Sequence, residues 1–135
     1  MAFTPAETEY LTTQRLGRLA TVGADGVVQN NPVGFRIEDG GTIVIGGRAM
    51  AGTRKFRNVA ATGRAALVVD DVVSTQPWRV RGIEIRGRAE AVTEAEPPLP
   101  GTTRDVIRLH PDVVFTWGVD PDAAGMTRRT APDTG

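Results

Sequence analysis

From Trp78 to Val92 the side chains alternate so strictly that only an extended strand accommodates them. Val80, Gly82, Glu84, Arg86 and Arg88 fall on one face, and Arg81, Ile83, Ile85, Gly87 and Ala89 on the other. A period of two sends Ile83 and Ile85 inward and Glu84, Arg86 and Arg88 toward water, the pattern of an antiparallel strand with one covered face. A strand of this length needs partners. Arg18–Val22 and Val27–Arg36 flank Gly23-Ala24-Asp25-Gly26, where Asp-Gly is a strong hairpin signal. Thr42–Ile45 follows the turn Glu38-Asp39-Gly40-Gly41 and completes a three-strand meander, Gly63–Asp70 has an unbroken apolar centre, and Val113–Val119 is the last clear strand.

Helices fill the remaining positions. Thr4, Pro5 and Glu7 match a capping box with Pro at N1, which starts a helix whose buried side is Tyr10, Leu11 and Leu16 and which Gly17 ends. A short helix is expected over Thr102–Leu109, stopped by Pro111, with His110 as its C-terminal cation. Asp71–Pro77 and Glu94–Pro100 read as loops, and Asp120–Gly135 as a polar arm. Six mostly antiparallel strands with short helices make a mainly β, α+β protein, a small β-barrel. The expected organisation is one domain over residues 1–135, with 1–17 as N-terminal helix and 120–135 as C-terminal arm. A barrel of short strands with an exposed face is commonly covered by a second copy, so a homodimer is expected.

The stretch Gly46–Asn58, GGRAMAGTRKFRN, gathers what an anion site needs. It holds Lys55, Arg48, Arg54 and Arg57, with Gly46, Gly47 and Gly52 to turn the backbone and Thr53 to cap a helix through Lys55, Phe56, Val59 and Ala60. A helix N-terminus offers free N–H groups and the positive end of the macrodipole, so basic side chains in its first turn suit a phosphate. Basic turns are most often only solvated surface. Here, however, Lys55 is the single lysine among 16 basic residues, in a chain that otherwise uses arginine for every cation.

Other chemistries are narrowed by what the chain lacks. It has no cysteine and one histidine, which excludes disulfides, thiol chemistry and a credible zinc site. Equal numbers of acidic and basic residues, 16 each, argue against a nucleic-acid-tracking face. No apolar run reaches the length of a membrane span and Met1–Arg15 has no signal-peptide core, so a cytoplasmic protein without membrane or nucleic-acid partners is expected. The Ala, Arg, Gly, Val and Asp bias looks like a GC-rich bacterial genome.

In order and spacing, the helix, the meander, Gly52-Thr53-Arg54-Lys55 before a helix, the run Arg64 to Asp70 and Ile85-Arg86-Gly87-Arg88-Ala89-Glu90 resemble the pyridoxamine 5′-phosphate oxidase-like split β-barrel superfamily. Asn30-Asn31-Pro32-Val33, Thr53 to Asn58 and Phe115-Thr116-Trp117-Gly118-Val119 are most similar to its actinobacterial branch that uses the deazaflavin coenzyme F420. The resemblance implies a six-stranded antiparallel split β-barrel of FMN-binding type. It makes Thr53, Arg54 and Lys55 the phosphate ligands, with Arg57 and Asn58 in the surrounding cluster. Asn31, Pro32, Val33, Ile45 and Gly46 would line the ring system. Arg81, Trp117, Arg128 and Arg129 match regions that complete the site from the other subunit.

Two departures steer the reading. The second strand carries Gln29-Asn30-Asn31-Pro32 where the oxidases proper carry basic residues, and Met126-Thr127-Arg128-Arg129 contains no histidine. Vitamin B6 oxidation is thereby disfavoured, and F420 is preferred over FMN. The expected activity is hydride transfer from F420H2 to an activated double bond, an enone or quinone-like system, in a small organic substrate. No side chain stands out as general acid, so the proton is expected from solvent or an ordered water. The alternatives are an FMN-binding oxidoreductase of the same fold and a non-catalytic F420 or flavin carrier.

Overall fold

A computed structural model of the chain describes residues 2–131. The capping box forms as its spacing requires. Thr4 Oγ1 accepts from the Glu7 N–H at 3.2 Å, Glu7 Oε1 accepts from the Thr4 N–H at 2.9 Å, and helix α1 covers Pro5–Thr12. It ends short of Gly17. Leu16–Val22 is already strand β1, which exposes Leu16 and sets Gly17 against Leu67 and Val69.

The remaining elements are β2 (Val28–Gly34), β3 (Arg36–Ile37), β4 (Ile43–Ile45), α2 (Arg54–Thr62), β5 (Arg64–Thr75), β6 (Trp78–Thr93), β7 (Asp105–Trp117) and β8 (Met126–Thr130). A single 3₁₀ turn, Met50–Gly52, leads into α2. The Asp25-Gly26 hairpin joins β1 to β2 as expected, with Gly23 N–H donating to Val27 O at 3.0 Å. The meander does not form. β2 pairs only with β1, β4 pairs with β7, and the sheet order is β2-β1-β5-β6-β7-β4-β3. Because β2 and β3 are one stretch of chain interrupted at Phe35, the ladder begins and ends on the same segment. The sheet therefore closes into a barrel. Closure rests on Arg36 opposite Val44 and Ile37 opposite Ile43, while along Val28–Gly34 the edge facing away from β1 has no strand beside it among the described residues. That opening is the split.

Three further expectations change. Residues 102–109 are not a helix: Asp105–Trp117 is one continuous strand, in which Val106, Ile107 and Leu109 are fully buried. Long-range pairing with β6 and β4 outweighs a local helical pattern here. Pro111 does not stop a helix but sits at a β-bulge. Gly87 pairs with Pro111 and Arg86 with Val113, so Asp112 is the extra residue. A bulge tolerates a residue with no N–H. His110 lies in the strand, its Nδ1 3.4 Å from Thr42 Oγ1. Asp71–Pro77 is not a loop either, because β5 and β6 pair as far as Thr75 and Trp78, with Val73 bulged. The polar arm contributes β8, paired antiparallel with β7, which makes a seventh strand once β2 and β3 count as one. Residues 132–135 of the arm lie outside the described residues.

Inward positions of every long strand meet in one core. Leu19, Ile43, Ile45, Leu67, Ile83, Ile85, Ile107 and Leu109 are fully buried, and α2 closes one end through Met50 and Val59. Gly63 ends α2 at φ +70°, its N–H donating to Val59 O at 2.8 Å, so the chain can turn straight into β5.

Candidate cofactor-binding site

Thr53 caps α2 twice over. Its hydroxyl accepts from the Phe56 N–H at 3.3 Å and donates to Met50 O at 2.7 Å, and this ties the helix start to the preceding turn. The N–H groups of Arg54 and Lys55 find no acceptor among the described residues. Arg48, Arg54 and Lys55 make no ion pair within that range, and Arg57 only donates to Gly52 O at 3.0 Å. Arg54, Lys55 and Arg57 thus stand in the first turn of α2 with two unpaired N–H groups and, among the described residues, no carboxylate paired to them. Such an end attracts an anion.

The other residues named from sequence fall into three groups. Val33 and Ile45 point into the core, 5% and 0% exposed, so only their backbone can meet a ligand. Pro32 is exposed and Asn31 half-buried on β2, beside the split; Gly46 leads out of β4 under Pro98 and Thr102. Asn58 turns inward. Its Nδ2 donates to Thr21 Oγ1 at 3.1 Å in a buried contact that holds α2 on β1. The edge of β2 facing away from β1 is unpaired among the described residues, and Gly46 and Gly47 lead from the end of β4 into the 3₁₀ turn that precedes α2.

Arg81, Trp117, Arg128 and Arg129 lie on β6, β7 and β8. Arg81 forms a bidentate pair with Asp71, at 2.9 and 3.1 Å, and stacks 4.9 Å from the Tyr10 ring centroid. Tyr10 Oη also donates to Asp71 Oδ1 at 2.8 Å. The Arg81 guanidinium holds the Asp71 carboxyl below the usual range, and burial, aided by Asp71, pushes the Tyr10 phenol far above its own. Trp117 lies over Gly82, and Arg128 is 5.9 Å from the Phe115 ring centroid. Arg129 reaches the N-terminal segment, donating to Ala2 O at 2.7 Å and pairing with the buried carboxylate of Glu7.

The structure holds a further concavity that the sequence expectations do not include. Beside the C-terminal end of α2, on the outside of the sheet, Ala20, Val22, Val28, Ala66 and Val113 floor a groove of about 610 Å³ rimmed by Arg64, Arg86, Arg88 and Asp112. Its signal was present: these outward strand positions carry Ala and Val where solvated strands carry charge.

The chain belongs to the pyridoxamine 5′-phosphate oxidase family, whose model matches residues 3–118. It is 47% identical over 140 residues to the 5a,11a-dehydrotetracycline/5a,11a-dehydrooxytetracycline reductase of Streptomyces rimosus, a match covering 100% of this chain and 99% of that one. Among solved structures it is similar to a heme binding protein from Mycobacterium smegmatis (TM-score 0.69, 17% identity, 96% of this chain), of which it spans 60%. A conserved hypothetical protein from Mycobacterium tuberculosis superposes with TM-score 0.68 at 21% identity, covering 91% of this chain and 92% of that one. At these identities the structural matches speak for the fold alone. Among the described residues no helix is long and apolar enough to cross a membrane.

Proposed function

We propose that this protein is a homodimeric reductase that binds F420H2 and reduces a carbon–carbon double bond conjugated to a carbonyl in a polycyclic substrate. The observation that carries the reading is 47% identity along the full length of a reductase named for dehydrotetracyclines. The uncompensated cationic start of α2 supports a phosphate-bearing cofactor. Arg54 and Lys55 would hold the phosphate through side chains and free N–H groups, with Arg57 alongside. Thr53, whose hydroxyl proton is committed to Met50, fixes the helix start, and Asn58 keeps the helix seated. Backbone along Asn31–Val33 and at Ile45–Gly46 would receive the ring system at the split.

When bound, the reduced deazaflavin supplies the hydride. The chain's part is to orient and to exclude water. The segments 28–34, 43–47 and 50–58 contain no Asp, Glu, His, Tyr or Cys, so the side chains around the split offer cations and amides but no general acid. The proton for the carbon adjacent to the carbonyl therefore comes from water. Developing negative charge on the carbonyl oxygen is favoured by the surrounding cations.

The test is a fluorescence titration of the purified protein with F420 and, in parallel, FMN, followed by turnover of a dehydrotetracycline-type enone. Tight F420 binding with substrate-dependent loss of F420H2 supports the proposal. Preference for FMN moves the protein to a flavin-dependent reductase, and F420 binding without oxidation by any enone makes it a carrier.

A further inference from the structure

Three buried side-chain atoms find no hydrogen-bond partner among the described residues: Gln29 Oε1, His110 Nε2 and Arg129 Nε. Two of them belong to groups engaged in other ways. His110 Nε2 lies 3.6 Å from a carboxylate oxygen of Glu90, and Arg129 pairs with Glu7 through another nitrogen. Gln29 Oε1 has no comparable contact. An amide oxygen withdrawn from water without a donor opposes folding, so its presence calls for a partner that the chain itself does not supply.

Register says where that partner stands. Gln29 is directly opposite Thr21 across the β1–β2 ladder, so the two side chains share the face that α2 covers. Thr21 accepts from Asn58 Nδ2 at 3.1 Å, and one helical turn later Thr62 Oγ1 donates to Val22 O at 3.0 Å. Helix α2 therefore runs toward the Asp25-Gly26 turn, and Arg54 lies about 6 Å before Asn58, on the side away from that turn. Along β2 the inward positions Gln29, Asn31 and Val33 also lead away from the turn.

A phosphate at the free N–H groups of Arg54 and Lys55 separates two directions. In the reading above the ring system meets Asn31–Val33 and Ile45–Gly46, on the side away from the turn. A group that reaches Gln29 must then leave the phosphate on its other side. FMN ends in a phosphomonoester and has nothing there. In F420 the phosphate is a diester, and beyond it a lactyl unit is joined to glutamate through an amide. That amide N–H is the donor the Gln29 oxygen lacks, and an ionised carboxylate could not provide one.

We infer that Gln29 Oε1 accepts the N–H of the amide that joins the acidic chain of F420 to its phospholactyl end, and that this contact selects F420 over FMN. The inference rests on the cofactor reading above and adds the residue that makes the choice.

The test replaces Gln29 with side chains of similar size that carry no acceptor, Gln29→Met and Gln29→Leu. Each variant is titrated by fluorescence with F420, with its phospholactyl form lacking glutamate, and with FMN, and urea unfolding is recorded without ligand. Loss of one neutral hydrogen bond is expected to weaken F420 binding by about fivefold or more, while affinity for the other two probes changes by less than about twofold. The urea midpoint should stay level or rise, because an unsatisfied acceptor has been removed; a residue kept for an internal hydrogen bond would lower it. Unchanged F420 affinity, the result if a buried water satisfies the amide, overturns the inference and leaves the cofactor reading standing. Equal losses for all three probes, or a midpoint lowered in both variants, overturn it as well. Wild-type protein that binds no F420 overturns the cofactor reading and the inference with it.

Discussion

Lys55 and Asn58 sit three residues apart on α2 and do opposite work. Lys55, in the first helical turn, has no ion-pair partner among the described residues, so its value lies in what it binds. Charge-assisted hydrogen bonds contribute roughly 1.5–3 kcal/mol, so Lys55→Ala is expected to weaken F420 binding by about ten- to a hundredfold, read by fluorescence titration, with little change in the urea midpoint. Asn58 is 7% exposed and bonded to Thr21, itself 4% exposed. Asn58→Ala leaves a buried hydroxyl without its partner, at a cost of about 1–3 kcal/mol, and urea unfolding should record it. Undiminished F420 affinity in the lysine variant would remove the phosphate assignment. From sequence the two residues read alike, as members of one cluster around an anion. A string of residues shows that helix α2 carries charge at its start, but not which side chain rotates inward, because that depends on where β1 lies.

The elements were legible to the extent that their signals were local. The Thr4 capping box, the Asp25-Gly26 hairpin, the Thr53 cap and the alternation along β6 all act within a few residues, and each stands where expected. Local signals failed where a distant strand decided. Val106, Ile107 and Leu109 suit either a helix or a strand buried on both faces, and pairing with β4 and β6 chose the strand. Pro111 was a stop signal only in the absence of a bulge. Gly87 is the counterpart of that bulge, because a Cβ there would lie 1.9 Å from His110 O, a backbone atom that cannot swing aside. Gly87→Ala must therefore break the bulge, and we expect a loss of about 3 kcal/mol or more, visible as a lowered thermal midpoint. Gly26→Ala tests turn geometry instead. It meets no atom within 4 Å but holds a positive φ of 83°, so its smaller cost of about 1 kcal/mol comes from strain alone.

At the scale of the molecule, α1 is held to the barrel by Tyr10, Asp71 and Arg81 and again by Glu7 and Arg129, and the first of these sets a pH window. Asp71 is held below its ordinary range by Arg81, so the stability it contributes is present above about pH 3.9 and is lost as pH falls through the lowered folded value. Tyr10 is raised, so its contribution is present below about pH 10 and is lost as pH rises further. Thermal midpoints measured across pH should fall at both extremes, and Tyr10→Phe should flatten the alkaline limb while keeping much of the acid one. Family, barrel and the Thr53-capped helix α2 could be read from the sequence by resemblance and by capping chemistry. The groove and the β5–β6 hairpin could not, since a loop was expected where β5 and β6 keep pairing. The seam of the barrel carries a last consequence. Its ring is shut by a two-residue ladder, Arg36 and Ile37 on Val44 and Ile43, next to the strand edge that would take the ring system. Amide hydrogens along this seam should exchange sooner than those of β5 and β6, and their slowing on addition of cofactor would report occupancy of the split without reference to turnover.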